Sequence, residues 1–101
     1  EVKSIVFTSL ENMLVAPNPT SGPVQFINLP EQCTITVFNL NGERVITLEH
    51  SDPDNVNYIW DMKTENNHFI SDGLYIYQAE TPGGDQKIGK FMIMRNIVPA
   101  R

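Results

Sequence analysis

The chain has 101 residues, 41% of them hydrophobic and 9% aromatic, with 12 acidic against 7 basic side chains and a net charge of −5. That is the composition of one globular domain, able to bury roughly 60–70% of the surface its unfolded chain exposes, and it excludes intrinsic disorder. The few Lys and Arg are scattered, which argues against nucleic acid or an anionic membrane as partner, and no apolar run approaches the ~20 residues of a membrane span. No stretch within these residues reads as a signal peptide, so export would rest on a signal elsewhere in a precursor.

Residues 2–8, opening at Val2 and closing at Thr8, are apolar and extended. Residues 1–12 read as a linker or an extra N-terminal strand, residues 13–95 as a sandwich domain and residues 96–101 as a short tail. A strand over 13–16 runs into Pro17-Asn18-Pro19-Thr20-Ser21-Gly22-Pro23, where X-Pro steps hold the backbone extended and Gly ends the turn. Val24 and Phe26 alternate on one face of a strand closed by Leu29-Pro30. Residues 33–40 and 43–48 pair across Asn41-Gly42, a strong two-residue hairpin signal. Residues 49–54 read as an acidic turn that contains Pro53. Val56, Tyr58 and Trp60 then alternate as a strand with one buried face. After the polar loop 62–72 comes Leu74-Tyr75-Ile76-Tyr77, apolar on both faces as a central strand is, with Gly73 giving the freedom a sharp loop-to-strand entry needs. Pro82-Gly83-Gly84-Asp85 turns the chain into a last strand over 86–95. No segment keeps a 3.6-residue period, and short strands at intervals of roughly 8–12 residues predict an all-β antiparallel sandwich of about 7–8 strands. Its core should draw on Phe26, Ile35, Val37, Leu48, Trp60, Tyr75 and Tyr77.

Chemistry-bearing residues are sparse. Cys33, the single cysteine, alternates with Ile35 and Val37 and reads as a small buried hydrophobe with no cation nearby in sequence. His50 and His68 fall in expected polar turns, and no nucleophile motif accompanies either. The domain therefore reads as non-catalytic and without cofactor or bound transition metal. The oxygen-rich loops offer weak calcium candidates in Asp52, Asp54, Asp61 and Asp72, although none has EF-hand spacing. Tyr58, Trp60, Tyr75 and Tyr77 would make a sugar-stacking platform if they faced outward, a carbohydrate-binding alternative set against inward packing.

Several short motifs occur in an order that resembles a known family. Val15-Ala16-Pro17-Asn18-Pro19 is similar to its opening Y-P-N-P, and Leu29-Pro30 to the L-P after its first strand. Val37-Phe38-Asn39-Leu40-Asn41-Gly42-Glu43-Arg44-Val45 resembles its V-Y-D-x-x-G-R-x-V hairpin. Trp60-Asp61 and Gly73-Leu74-Tyr75 resemble its W-D-G and G-V-Y, and Lys90-Phe91-Met92-Ile93-Met94-Arg95 its closing basic-apolar strand. Met62 stands where the family has Gly, which suggests a different turn there; Asn67 replaces a second Gly mildly, since Asn tolerates positive φ.

The family is that of FlgD-type Ig-like domains and their relatives, the C-terminal sorting domains of type IX secretion cargo. The resemblance implies an Ig-like (fibronectin III-like) sandwich that serves as an accessory domain of an exported bacterial protein, secreted or at the cell surface after passing the periplasm. Its partner would be the secretion machinery, reading the final hairpin, with Gly73, Tyr75, Lys87, Lys90 and Arg95 as recognition candidates. A structural module of a surface or filament assembly is the alternative, with residues 2–8 as the strand that pairs with a neighbour.

Overall fold

The computed structural model describes residues 9–19 and 22–94. Residues 2–8, Arg95 and the expected tail lie outside them. Among the described residues seven strands form, β1 (Leu14–Ala16), β2 (Val24–Ile27), β3 (Gln32–Phe38), β4 (Arg44–Ser51), β5 (Tyr58–Trp60), β6 (Gly73–Glu80) and β7 (Gln86–Ile93). They pair antiparallel into a three-stranded sheet, β1-β2-β5, and a four-stranded sheet, β4-β3-β6-β7. No helix occurs among the described residues, and the all-β antiparallel sandwich follows from the period-2 patterning.

The inner faces are those the alternation predicts. Cys33, Ile35 and Val37 of β3, Tyr75, Tyr77 and Ala79 of β6, and Phe91 and Ile93 of β7 meet Val24, Phe26 and Trp60 of the other sheet in one buried cluster. All seven residues expected in the core are buried. Phe26 stands edge-on to Tyr77 at 5.9 Å and to Phe91 at 6.2 Å, while Tyr75 stacks on Phe91 at 6.0 Å. Each such aromatic contact adds about 0.5–1.5 kcal/mol beyond the area it buries. Leu10 and Met13 also lie in this cluster, so core packing begins within the stretch expected to be linker.

Two boundaries differ from expectation. β3 ends at Phe38, and the connection to β4 is a loop over 39–43 rather than a two-residue turn. The Asn39 carboxamide oxygen accepts from the amides of Asn41 and Glu43, both at 3.0 Å, and Gly42 takes φ 82, so the loop closes on a side chain. β4 runs on to Ser51 because its inward alternation continues through Ile46, Leu48 and His50, in register with Val37, Ile35 and Cys33. His50 is therefore a buried strand residue, not a turn residue.

Candidate functional site

The corner between β5 and β6 is built by the Trp-Asp and Gly-Leu-Tyr motifs. Trp60 is buried, and its indole N–H donates to the carbonyl of Lys63 at 3.0 Å. The Asp61 carboxylate accepts from the Lys63 amide at 3.0 Å. Met62 takes φ 68 and is 4% exposed. It occupies a backbone conformation glycine favours while its thioether fills the core, so the substitution keeps a glycine-type turn where a different one was expected. Burial of the side chain, worth about 1.5–3 kcal/mol, offsets the roughly 1–2 kcal/mol cost of positive φ.

Beyond Met62 the loop folds back on itself. The Ile70 amide donates to the Met62 carbonyl at 2.9 Å and the Thr64 amide to the His68 carbonyl at 2.8 Å, around Asn67 at φ 67. Asn67 thus takes the positive φ expected of a glycine replacement. His68 is exposed, as expected. Arg44 bonds Glu65 at 2.6 Å, holding the loop against the start of β4, and the guanidinium keeps the Glu65 carboxyl below its ordinary range. At the loop's exit the Tyr75 hydroxyl donates to the Ser71 carbonyl at 2.7 Å, and Gly73 takes φ 147, where a side chain is strained. Gly73 and Tyr75 are thus committed to the backbone entry and to the core.

The hairpin of β6 and β7 presents the remaining candidates. Lys90 is exposed on the outer face of the four-stranded sheet, with Ile88 67% and Met94 40% exposed beside it in sequence. Lys87 is half-buried, and its ammonium donates to the carbonyls of Glu11, at 3.3 Å, and Met13. It pins the segment before β1 to the edge of β7, alongside the Leu10 amide on the Asp85 carboxylate at 2.9 Å and the Met92 amide on the Asn18 carboxamide at 3.0 Å. Sequence reading missed these roles of Asp85 and Asn18, and it offered Lys87 as a recognition candidate, whereas its ammonium is engaged within the domain. Contacts between residues more than seventy positions apart leave no local signal. Arg95 lies outside the described residues.

Cys33 is buried, but its cross-strand neighbour is His50, a proximity that sequence distance hid. Burial pushes its thiol up to about 11, so it is protonated at neutral pH and a poor nucleophile. Trp60, Tyr75 and Tyr77 point into the core and Tyr58 is half-buried, which removes the sugar-stacking platform. The Asp52 carboxylate accepts from the Asp54 amide at 2.9 Å, an Asx turn like that of Asp61. Among the described residues no three His, Cys, Asp or Glu side chains converge as metal ligands.

The described residues thus form a small antiparallel sandwich with Phe26, Trp60, Tyr75, Tyr77 and Phe91 inside. The family model described as the secretion system C-terminal sorting domain matches residues 14–94, a span that contains all seven strands. The chain belongs to that family, whose members mark exported proteins for secretion or attachment to the cell surface. No curated protein matches it. Among solved structures, PorZ, an essential bacterial surface component of the type IX secretion system of Porphyromonas gingivalis, aligns with TM-score 0.72 and 18% identity over 87% of this chain and 12% of that one. Dimeric latent PorU from the same organism aligns with TM-score 0.62 and 19% identity over 81% of this chain and 9% of that one. The chain thus spans about a tenth of the length of these proteins, and at such identities the likeness is one of fold.

Proposed function

We propose that this domain directs the polypeptide carrying it through type IX secretion to the cell surface, and that the machinery reads the outer face of the β6–β7 hairpin around Lys90. The observation that carries this reading is the sorting-family match across the whole sandwich. Of the hairpin candidates within the described residues, Gly73 and Tyr75 serve backbone and core, and Lys87 is engaged by carbonyls. That leaves Lys90, flanked by the exposed Ile88, as the charge a partner protein can reach. The Ig-like kinship with FlgD-type domains belongs to the same reading, as does the absence of catalysis.

The test is a periplasmic reporter fused ahead of the 101 residues in a type IX-competent host. The intact fusion is expected at the surface, and Lys90→Glu is expected to retain it in the periplasm while its melting temperature stays that of the parent. An intact fusion that stays periplasmic overturns the sorting role. A Lys90→Glu fusion that still reaches the surface overturns the assignment to this face.

A further inference from the structure

We propose that the free edge of β4 takes an extended, basic segment of a partner protein as a fifth strand of the four-stranded sheet. The sheet has two edges, β4 and β7, and each presents a row of backbone groups to the side. The β7 edge is guarded, because side-chain bonds at Asp85, Lys87 and Met92 tie the segment around β1 along it. Among the described residues, no backbone group of β4 is bonded outside its ladder with β3. At eight residues it is as long as β7. It has no Pro and no Lys, and its one irregularity, the register shift opposite Val37 and Phe38, lies at the Arg44 end, away from its C-terminal half.

The surroundings of this edge say what it would accept. A groove of ≈540 Å³ runs beside the C-terminal half of β4, lined by Glu49, His50, Asp52, Asn57, Tyr58 and Ile59 among others, with no Lys or Arg in its lining. On the sheet's outer face Glu49 stands opposite Thr34, whose other neighbour is Glu80, so the carboxylates of Glu49 and Glu80 flank one row. The cation of β4, Arg44, lies at the far end and is spent on Glu65. His50 lies in the lining with its Nε2 buried and without a partner among the described residues. Ile59, 64% exposed, offers an apolar anchor on the opposite rim. An incoming strand thus gains ladder bonds from β4, charge pairing at Glu49 and apolar contact at Ile59. A second copy of this chain fits poorly, since it would bring another Glu49 and a net charge of −5. The inference stands apart from the sorting reading, which concerns the opposite end of the sheet.

The experiment titrates the isotopically labelled chain with a short synthetic peptide of alternating Thr or Val and Lys, followed by amide shifts and hydrogen exchange. Amides of β4 are expected to shift and exchange more slowly, while those of β7 stay unchanged. The same peptide N-methylated at every second residue should lose the protection, since it cannot form a ladder. Glu49→Lys, confirmed folded by its melting curve, should weaken binding about tenfold by reversing one cross-strand pair. Several outcomes overturn the proposal: no protection of β4 at millimolar peptide, undiminished binding of the N-methylated peptide, or equal binding of a Glu-for-Lys peptide. Protection of β4 that grows with protein concentration in the absence of peptide also overturns it, in favour of self-pairing.

Discussion

The corner between β5 and β6 and the closing strand β7 both carry motifs of the sorting family, and they use them differently. At the corner Trp60, Asp61, Gly73 and Tyr75 turn inward or serve the backbone. Trp60 fills the core and Asp61 closes a turn, Gly73 supplies φ 147, and Tyr75 stacks on Phe91. In β7 the residues alternate, with Phe91 and Ile93 fully buried while Ile88 and Lys90 face solvent. A recurring motif in this domain is thus a folding instruction at one site and half a surface at the other. The sides of β7 differ again, since Lys87, on its inward row, bonds the segment before β1 instead of packing in the core.

The sharpest way to break this contrast is at the corner. Trp60→Ala should cost about 3–5 kcal/mol, much of what holds a domain of this size together. Denaturant unfolding measures it, and a loss below about 1 kcal/mol would mean that the corner is not the folding element described above. Next in size is Gly89→Ala. Gly89 lies opposite Tyr77, and a β-carbon there would come within 2.5 Å of the Tyr77 ring. That ring is wedged edge-on against Phe26, so it has little room to yield, and the substitution should cost about 1–3 kcal/mol. Tyr77→Leu combined with Gly89→Ala should recover part of that cost if the clash is the cause, which a double-mutant cycle reads directly.

The inner face also makes a prediction in pH. Burial raises the Cys33 thiol from an ordinary 9.0 to about 11, so folding favours its protonated form. This contribution is fully present below pH 9 and is lost as pH rises from 9 to 11. Cys33→Val, which keeps an apolar side chain of similar bulk, should show a smaller drop in melting temperature across that interval than the parent. Equal drops would place the alkaline sensitivity elsewhere.

How much of this was legible in the sequence follows from the range of the interactions. Strand faces are set by neighbours two residues apart, and Val24-Phe26, Ile35-Val37 and Tyr58-Trp60 announced them. Positive φ at Asn67 and Gly73 was legible too, from residue type. His50 was misplaced because an acidic run and Pro53 suggested a turn, whereas the ladder opposite Cys33 carries β4 on to Ser51. The turn after Asp61 was misread because Met rarely accepts positive φ, and burial of its side chain is a tertiary fact. Lys87 failed for the same reason, its partners being set by the packing of Leu10 and Met13 against the core.

The smallest expected effect separates the two lysines of β7. Lys87 and Lys90 look alike in sequence, yet one ammonium sits on two carbonyls and the other is exposed. Truncating Lys87 to Ala removes charge-assisted bonds to the carbonyls of Glu11 and Met13, which should cost about 1–2 kcal/mol and loosen the guard on the β7 edge. Truncating Lys90 removes a solvated side chain and should stay within about 0.5 kcal/mol. Melting curves of the two variants decide whether the difference exists, and hydrogen exchange at Met92 decides where it acts. Loss of protection there in Lys87→Ala but not in Lys90→Ala means that the segment around β1 is held to β7 by this cation. Equal protection in both would mean that the bonds of Leu10 to Asp85 and of Met92 to Asn18, with the buried side chains of Leu10 and Met13, hold it without this cation.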